Sequence, residues 1–222
     1  MIDDMTDDWT RVDDYVAGLL LPADPALDAA LAANAAAGLP AIDVSPLQGR
    51  LLTVLATIAG ARRILEIGTL GGYSTICLAR ALPADGALVS LEASPHHAEV
   101  ARRNIAAAGL ADRVAVIVGR ALESLPTLEG PFELVFIDAD KGSNADYLGW
   151  ALRLSRPGTV VVCDNGVRDG RITDATATEP DVTGTRRLFE AIAAEPRLTA
   201  TAIQTVGAKG WDGFAIAVVA AA

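Results

Sequence analysis

From Ile64 onward the chain alternates short, almost continuous apolar runs with longer segments of helical period, and this alternation restricts the fold more than any other feature. The runs RILEI (63–67), ALVSLE (87–92), RVAVIV (113–118), FELVFID (132–138) and TVVVCD (159–164) are rich in Val, Ile and Leu. Such strands are covered on both faces, and the segments near 73–82, 95–108, 121–125 and 145–154 supply helices to cover them. The expected fold is therefore a doubly wound α/β fold with a mostly parallel sheet. Farther on, a helix near 183–194 precedes LTATAIQTV (198–206), a GAKGWDG turn and FAIAVVA (214–220). Two strands around a Gly-containing loop suggest a hairpin, which places an antiparallel strand in the sheet.

The 222 residues suffice for one sizeable core, and no shift of composition divides them, so 1–222 is read as a single domain. The first sixty or so residues look helical and Ala-rich, with breaks at Leu21-Pro22, Gly38-Leu39-Pro40 and Ser45-Pro46. A net charge of −10 repels phosphate backbones and offers no basic face to an anionic membrane. Nucleic acid and membrane are therefore not expected as partners. The acidic opening MIDDMTDDW is unlike a secretory signal, and no apolar segment is long enough to span a bilayer, so a cytoplasmic location is expected. Cys77 and Cys163 have no second Cys or His at ligand spacing and read as small buried hydrophobes.

In LEIGTLGGYST (65–75) a strand ends at Gly68, turns through Gly71-Gly72 and enters a helix near Tyr73. Glycines permit positive φ and close backbone approach, and the helix start offers unpaired N–H groups to a ligand. The spacing matches neither G-x-G-x-x-G nor G-x-x-x-x-G-K-[ST], which disfavours a dinucleotide and a nucleoside triphosphate. Glu92 closes the next strand, where a carboxylate can accept hydrogen bonds from a ribose diol. A Gly turn and a ribose acid without a pyrophosphate cradle suggest a nucleoside without phosphates, of which S-adenosylmethionine is an example.

Asp138 closes a further strand and Asp164-Asn165 another, so in a parallel sheet all three reach the crevice at the carboxyl ends. Two carboxylates and one amide suit a hard cation such as Mg²⁺, Mn²⁺ or Ca²⁺. The residues alone leave a second reading equally open, that strand-end acids cap the helices that follow.

The stretches SPLQGRLL, RRILEIGTLGGYST, GLADRVAVIVGRALESLP, PFELVFIDADK, CDN and WDGFAIAVV resemble, in order and spacing, the cation-dependent O-methyltransferases that include catechol and caffeoyl-CoA O-methyltransferases. The likeness runs from about Ser45 to the end, and FIDADK with a later strand ending in Asp-Asn is its most specific part. It implies a Rossmann-like methyltransferase fold and transfer of a methyl group to a catechol-like or vicinal hydroxyl of a small-molecule acceptor. By this resemblance Glu66, Gly68, Thr69, Gly72, Ser74 and Asp138 belong to the methionine side of the cofactor site. Glu92 belongs to the ribose, Ala121 to the adenine and Val44 to the entrance. Asp138, Asp164 and Asn165 become metal ligands, and Lys141 the general base. An ammonium beside a cation and away from bulk water gives up its proton more readily, which suits that role. Relatives are often dimers, so a homodimer is expected, with residues 1–45 as a dimer element or a lid.

Where plant-type members continue DADK with another residue, then Asn and Tyr, this chain has Gly142, Ser143 and Asn144. After Asp-Asn it reads Gly166, Val167 and Arg168, which suggests that Arg168, with Arg171, faces an acidic or polar acceptor. Asp140 reads as structural, His96 and His97 as solvated or capping, and Trp211, Asp212 and Gly213 as a turn beside the site. Three alternatives remain: a methyltransferase for a non-catechol natural-product hydroxyl, a non-catalytic S-adenosylmethionine sensor and a nicotinamide-dependent reductase. The last is disfavoured because none of Tyr15, Tyr73 or Tyr147 is followed four residues later by Lys.

Overall fold

A computed structural model describes residues 2–221, with side chains in the first helix described from Asp8 onward. Three helices come first: α1 (Ile2–Leu20), α2 (Pro25–Ala36) and α3 (Pro46–Ile58). The breaks between them fall at the proline and glycine positions that interrupt the N-terminal sequence. Asp24 and Ser45 cap α2 and α3 by accepting from the backbone N–H groups of Leu27 and Gln48, and a proline opens each helix where its missing N–H costs nothing.

The alternating part gives β1 (Arg63–Ile67), α4 (Tyr73–Ala79), β2 (Ala87–Glu92), α5 (Pro95–Ala107), β3 (Val114–Val118), α6 (Ala121–Ser124), β4 (Phe132–Ile137), α7 (Asn144–Arg153) and β5 (Ser155–Asp164). These are followed by α8 (Pro180–Ala194), β6 (Leu198–Gly207) and β7 (Gly210–Val219). The seven strands lie in the order β3-β2-β1-β4-β5-β7-β6. Strands β1 to β5 are parallel, and β7 runs antiparallel to both β5 and β6. The strand order reverses between β1 and β4, and a crevice opens there at the carboxyl ends.

Strand periodicity divides the core into two. Ile64, Leu134, Phe136 and Val162 face α3, α4 and α5, while Leu65, Ile67, Val135 and Ile137 face α7 and α8. Cys77 and Cys163 are buried, and burial pushes both thiols up to about 12. Among the described residues no helix is long and apolar enough to cross a membrane.

The C-terminal hairpin departs from expectation. The seven residues GAKGWDG are not a loop: Gly207 pairs with Gly210 across a two-residue turn at Ala208-Lys209, and Trp211, Asp212 and Gly213 belong to β7. Glycines on both sides of the turn let the strands twist into a tight connection, with Gly210 at φ 87°. Asp212 is thereby placed beside the end of β5, where Phe214 pairs with Asp164.

Phe136 is fully buried between sheet and helices. Phe136→Ala is expected to lower unfolding stability by about 3–5 kcal/mol, measured as a shift of the urea midpoint at unchanged slope.

Candidate functional site

At the reversal point of the sheet lies a cleft of about 1080 Å³. Its floor is set by the ends of β1, β2, β4 and β5, and residues 41–51, α1 and the β6–β7 hairpin contribute to its rim. Asp13 of α1 lines it and accepts from the N–H of Ala208 at 2.9 Å, joining the first helix to the hairpin.

The Gly turn adopts left-handed backbone at Gly68 (φ 99°), Leu70 (φ 49°) and Gly72 (φ 87°). A Cβ at Gly68 would lie 2.1 Å from the Asp138 carbonyl oxygen, so only glycine lets the ends of β1 and β4 meet here. Glu92 braces the turn from the neighbouring strand. Its Oε2 accepts from the N–H groups of Thr69 at 3.1 Å and Leu70 at 2.8 Å, and its Oε1 from Ser94 at 2.9 Å. A carboxylate has about four acceptor positions, and three are taken here, so one remains for a ligand hydroxyl. His97 Nδ1 stands 3.6 Å from Glu92, and this side chain lines the cleft as well as belonging to a capped helix start, a role the sequence reading missed.

Two expected site residues do not line the cleft. Glu66 shares the sheet face of Ile64, so its side chain points under α4, fully buried. There it accepts from Ser74 Oγ at 2.7 Å, Thr75 Oγ1 at 2.5 Å and Ser90 Oγ at 2.6 Å. With that Ser90 proton committed to Glu66, Thr69 Oγ1 is the donor to Ser90 Oγ at 2.6 Å. Glu66 thus acts beneath Ser74 and Thr69, which do line the cleft. Burial raises its carboxyl to about 7 against the opposing pull of the three hydroxyls. Gly72 is the second departure: it faces Ala101 and Ile105 of α5, with 3.4 Å to either from a built Cβ, and serves helix packing.

Val44, Gly68, Thr69, Ser74, Glu92, Ala121, Asp138, Lys141, Asp164 and Asn165 all line the one cleft. At the end of β4, Lys141 Nζ donates to Asp138 Oδ1 at 2.6 Å, from a single 3₁₀ turn at Lys141–Ser143. At the end of β5, Asp164 accepts from Gln48 Nε2 at 2.8 Å and from the Asn165 N–H at 2.7 Å. Burial foremost, then the charge of Asp138, raises the Asp164 carboxyl to about 7. Gln48 escaped the sequence reading because only the capped first turn of α3 swings it across to β5. Among the described residues no three His, Cys, Asp or Glu side chains gather as a metal cluster. Asp138, Asp164 and Asn165, which line the same cleft, offer two carboxylates and an amide, and the charge of Asp138 acting on the buried Asp164, only partly offset by Lys141, fits a hard cation with oxygen ligands.

Arg168 and Arg171 do not stand as open cations toward an acceptor. Arg168 lines the cleft, but its guanidinium is bonded to Asp181, through Nε at 3.1 Å and through Nη2. Arg171 pairs with Glu179 and Asp181 at 3.2 Å each and does not line the cleft. Asp140 accepts from the Tyr147 hydroxyl and also lines the cleft.

A family model described as O-methyltransferase matches residues 24–215. The chain belongs to this family. It is 56% identical over 209 residues, 94% of each chain, to a catechol O-methyltransferase of Mycobacterium tuberculosis. An O-methyltransferase from Bacillus cereus, solved in complex with SAH, superposes with a TM-score of 0.95 at 57% identity, covering 96% of this chain and 99% of the other. The O-methyltransferase TomG from Streptomyces achromogenes, involved in tomaymycin synthesis and solved with SAM, gives 0.94 at 50% identity, covering 97% and 99%. Membership in the family removes the nicotinamide reductase reading, and the superpositions confirm the Rossmann-like methyltransferase fold.

The raised Glu66 carboxyl makes stability fall with pH. The folded state keeps a proton that the unfolded chain has lost, so the contribution is present below about pH 4.5 and is lost as pH rises through about 7. In Glu66→Gln this part of the decline, on the order of 1–3 kcal/mol, is expected to be absent from urea midpoints measured between pH 5 and 8.

Proposed function

We propose that this chain transfers the methyl group of S-adenosylmethionine to a catechol-like or vicinal hydroxyl of a small molecule with the help of a divalent cation, Mg²⁺ or another hard ion such as Mn²⁺ or Ca²⁺. The observation that carries the reading is the convergence of Lys141, Asp138, Asp164 and Asn165 on one side of a cleft whose other side is the Gly turn with Glu92. S-adenosylmethionine supplies an electrophilic methyl, and a cation held by Asp138, Asp164 and Asn165 lowers the proton affinity of the acceptor hydroxyl. The protein's own work is positioning and proton transfer. Glu92 and the Gly turn it braces orient the nucleoside, while Ala121 and Leu122 give it an apolar wall. Lys141, held by its 2.6 Å contact to Asp138, takes the proton from the acceptor oxygen. Val44 and its neighbours in 41–45 close the entrance against water.

The 50% identity to TomG supports a second reading for the acceptor alone, a natural-product hydroxyl with the same methyl chemistry. The helix α1 exposes Val12, Tyr15, Leu19 and Leu20, which supports a homodimer through this segment.

Methyl transfer to a panel of catechols, with and without Mg²⁺ and chelator, tests the reading. Turnover is expected to need both the vicinal diol and the cation, and Lys141→Ala to lower kcat by about 10²–10⁴. Turnover that ignores the chelator sinks the cation, and transfer confined to isolated hydroxyls sinks the catechol acceptor. Sedimentation equilibrium is expected to report about twice the 22.9 kDa chain mass, and the monomer mass for Tyr15→Glu with Leu19→Glu.

A further inference from the structure

We propose that Asp212 is the positioning residue that makes Asn165 a cation ligand, by pinning the nitrogen end of its amide so that the oxygen end is left for the ion. The inference rests on the cation reading above and addresses what that reading leaves open. A carboxylate offers oxygen whichever way it is turned, but an amide has one end that can ligate a cation and one that repels it.

Asn165 Nδ2 donates to Asp212 Oδ2 at 3.0 Å. A carboxylate only accepts, so it distinguishes the two orientations of the amide: rotation by half a turn would set oxygen against oxygen. Asp212 is itself fixed from the opposite side, because its Oδ1 accepts from the N–H groups of Val167 at 2.9 Å and Arg168 at 3.1 Å. The same loop is attached to β7 by the Gly166 N–H to the Gly213 carbonyl at 2.7 Å and by the Asp169 N–H to the Trp211 carbonyl at 3.2 Å. Asn165, Arg168 and Asp169 all hold left-handed φ of 54–60°, a conformation costly for non-glycine residues unless the surroundings impose it. One carboxylate on β7 thus holds a strained loop and reads the polarity of the amide at its start. Partners of this kind behind a metal ligand are typically worth 10- to 100-fold in metal affinity.

The test is Mn²⁺ affinity of the intact protein, followed by electron paramagnetic resonance without cofactor or acceptor. Asp212→Asn keeps an oxygen for the Val167 and Arg168 N–H groups but turns an NH₂ toward Asn165, so the Asn165 amide must flip. Binding is expected to weaken about 10- to 100-fold, and the loss is expected to persist at high salt. Combining Asp212→Asn with Asn165→Asp restores a donor–acceptor pair and leaves an oxygen at the cleft, so affinity is expected to return to within a few-fold of the parent. Unfolding midpoints of both variants show whether the loop has survived. Unchanged Mn²⁺ affinity in Asp212→Asn overturns the inference, as does a loss that disappears in high salt, which marks a mere charge effect. Failure of a folded double variant to regain affinity overturns it as well. If the parent protein itself binds no Mn²⁺, the cation reading falls first and takes this one with it.

Discussion

Everything in the cleft depends on how closely two strand ends approach each other. The backbone of Gly68, leaving β1, passes the carbonyl of Asp138, leaving β4, at a distance that excludes even a methyl group. This contact lies where the strand order reverses, so it fixes the distance between the Gly turn on one side and the charged strand ends on the other. It also sets a polarity. The Gly turn presents N–H groups, already drawn toward the carboxylate of Glu92, whereas the ends of β4 and β5 present carboxylates and a lysine. Because Glu92 itself lines the cleft, the two walls differ in character: one is a glycine-rich turn closed on a single carboxylate, the other a pair of carboxylates with a lysine.

The strand pattern made the fold legible because the central strands β1 and β4 and the carboxyl-terminal halves of β2 and β5 are buried on both faces, whereas at the sheet's edges β3 is only half-buried and β6 is largely exposed. The helix breaks in the N-terminal region were legible for a similarly local reason, since Pro22, Pro40 and Pro46 act through their own backbone. What escaped was decided by which way a side chain points. The resemblance assigns Glu66 to the methionine side of the cofactor site, but its position, two residues on from Ile64, places it on the face under α4, where Ser74, Thr75 and Ser90 already occupy its oxygens. Arg168 looked like an open cation in the acceptor wall, and its partner Asp181 lies thirteen residues on, at the start of α8, where no local pattern announces a pairing.

The candidate site divides along the same line. Asp138, Lys141, Asp164 and Asn165 were visible because they sit at strand ends, or just beyond, within short quotable stretches. Gln48 was not, and Asp212 was placed beside the site without its partner, because each reaches across from an element remote in sequence, 116 and 47 residues from the residue it bonds. The GAKGWDG segment was also misjudged as a loop. Two glycines flanking Ala208-Lys209 allow a turn of two residues, which extends β7 by four positions toward the cleft. That extension brings Asp212 alongside the end of β5.

The two cysteines lead to a different kind of consequence. Cys77 lies in α4 against α3, and Cys163 lies in β5 between β4 and β7 on the face toward α7 and α8; both are buried, and burial holds both thiols in the protonated form. Thiolate is the species that alkylating reagents and peroxides attack, so the native chain is close to silent toward thiol chemistry. A cysteine introduced at the exposed Ala208 turn would then be the single reactive thiol of the folded protein, a place for a fluorophore on the rim of the cleft.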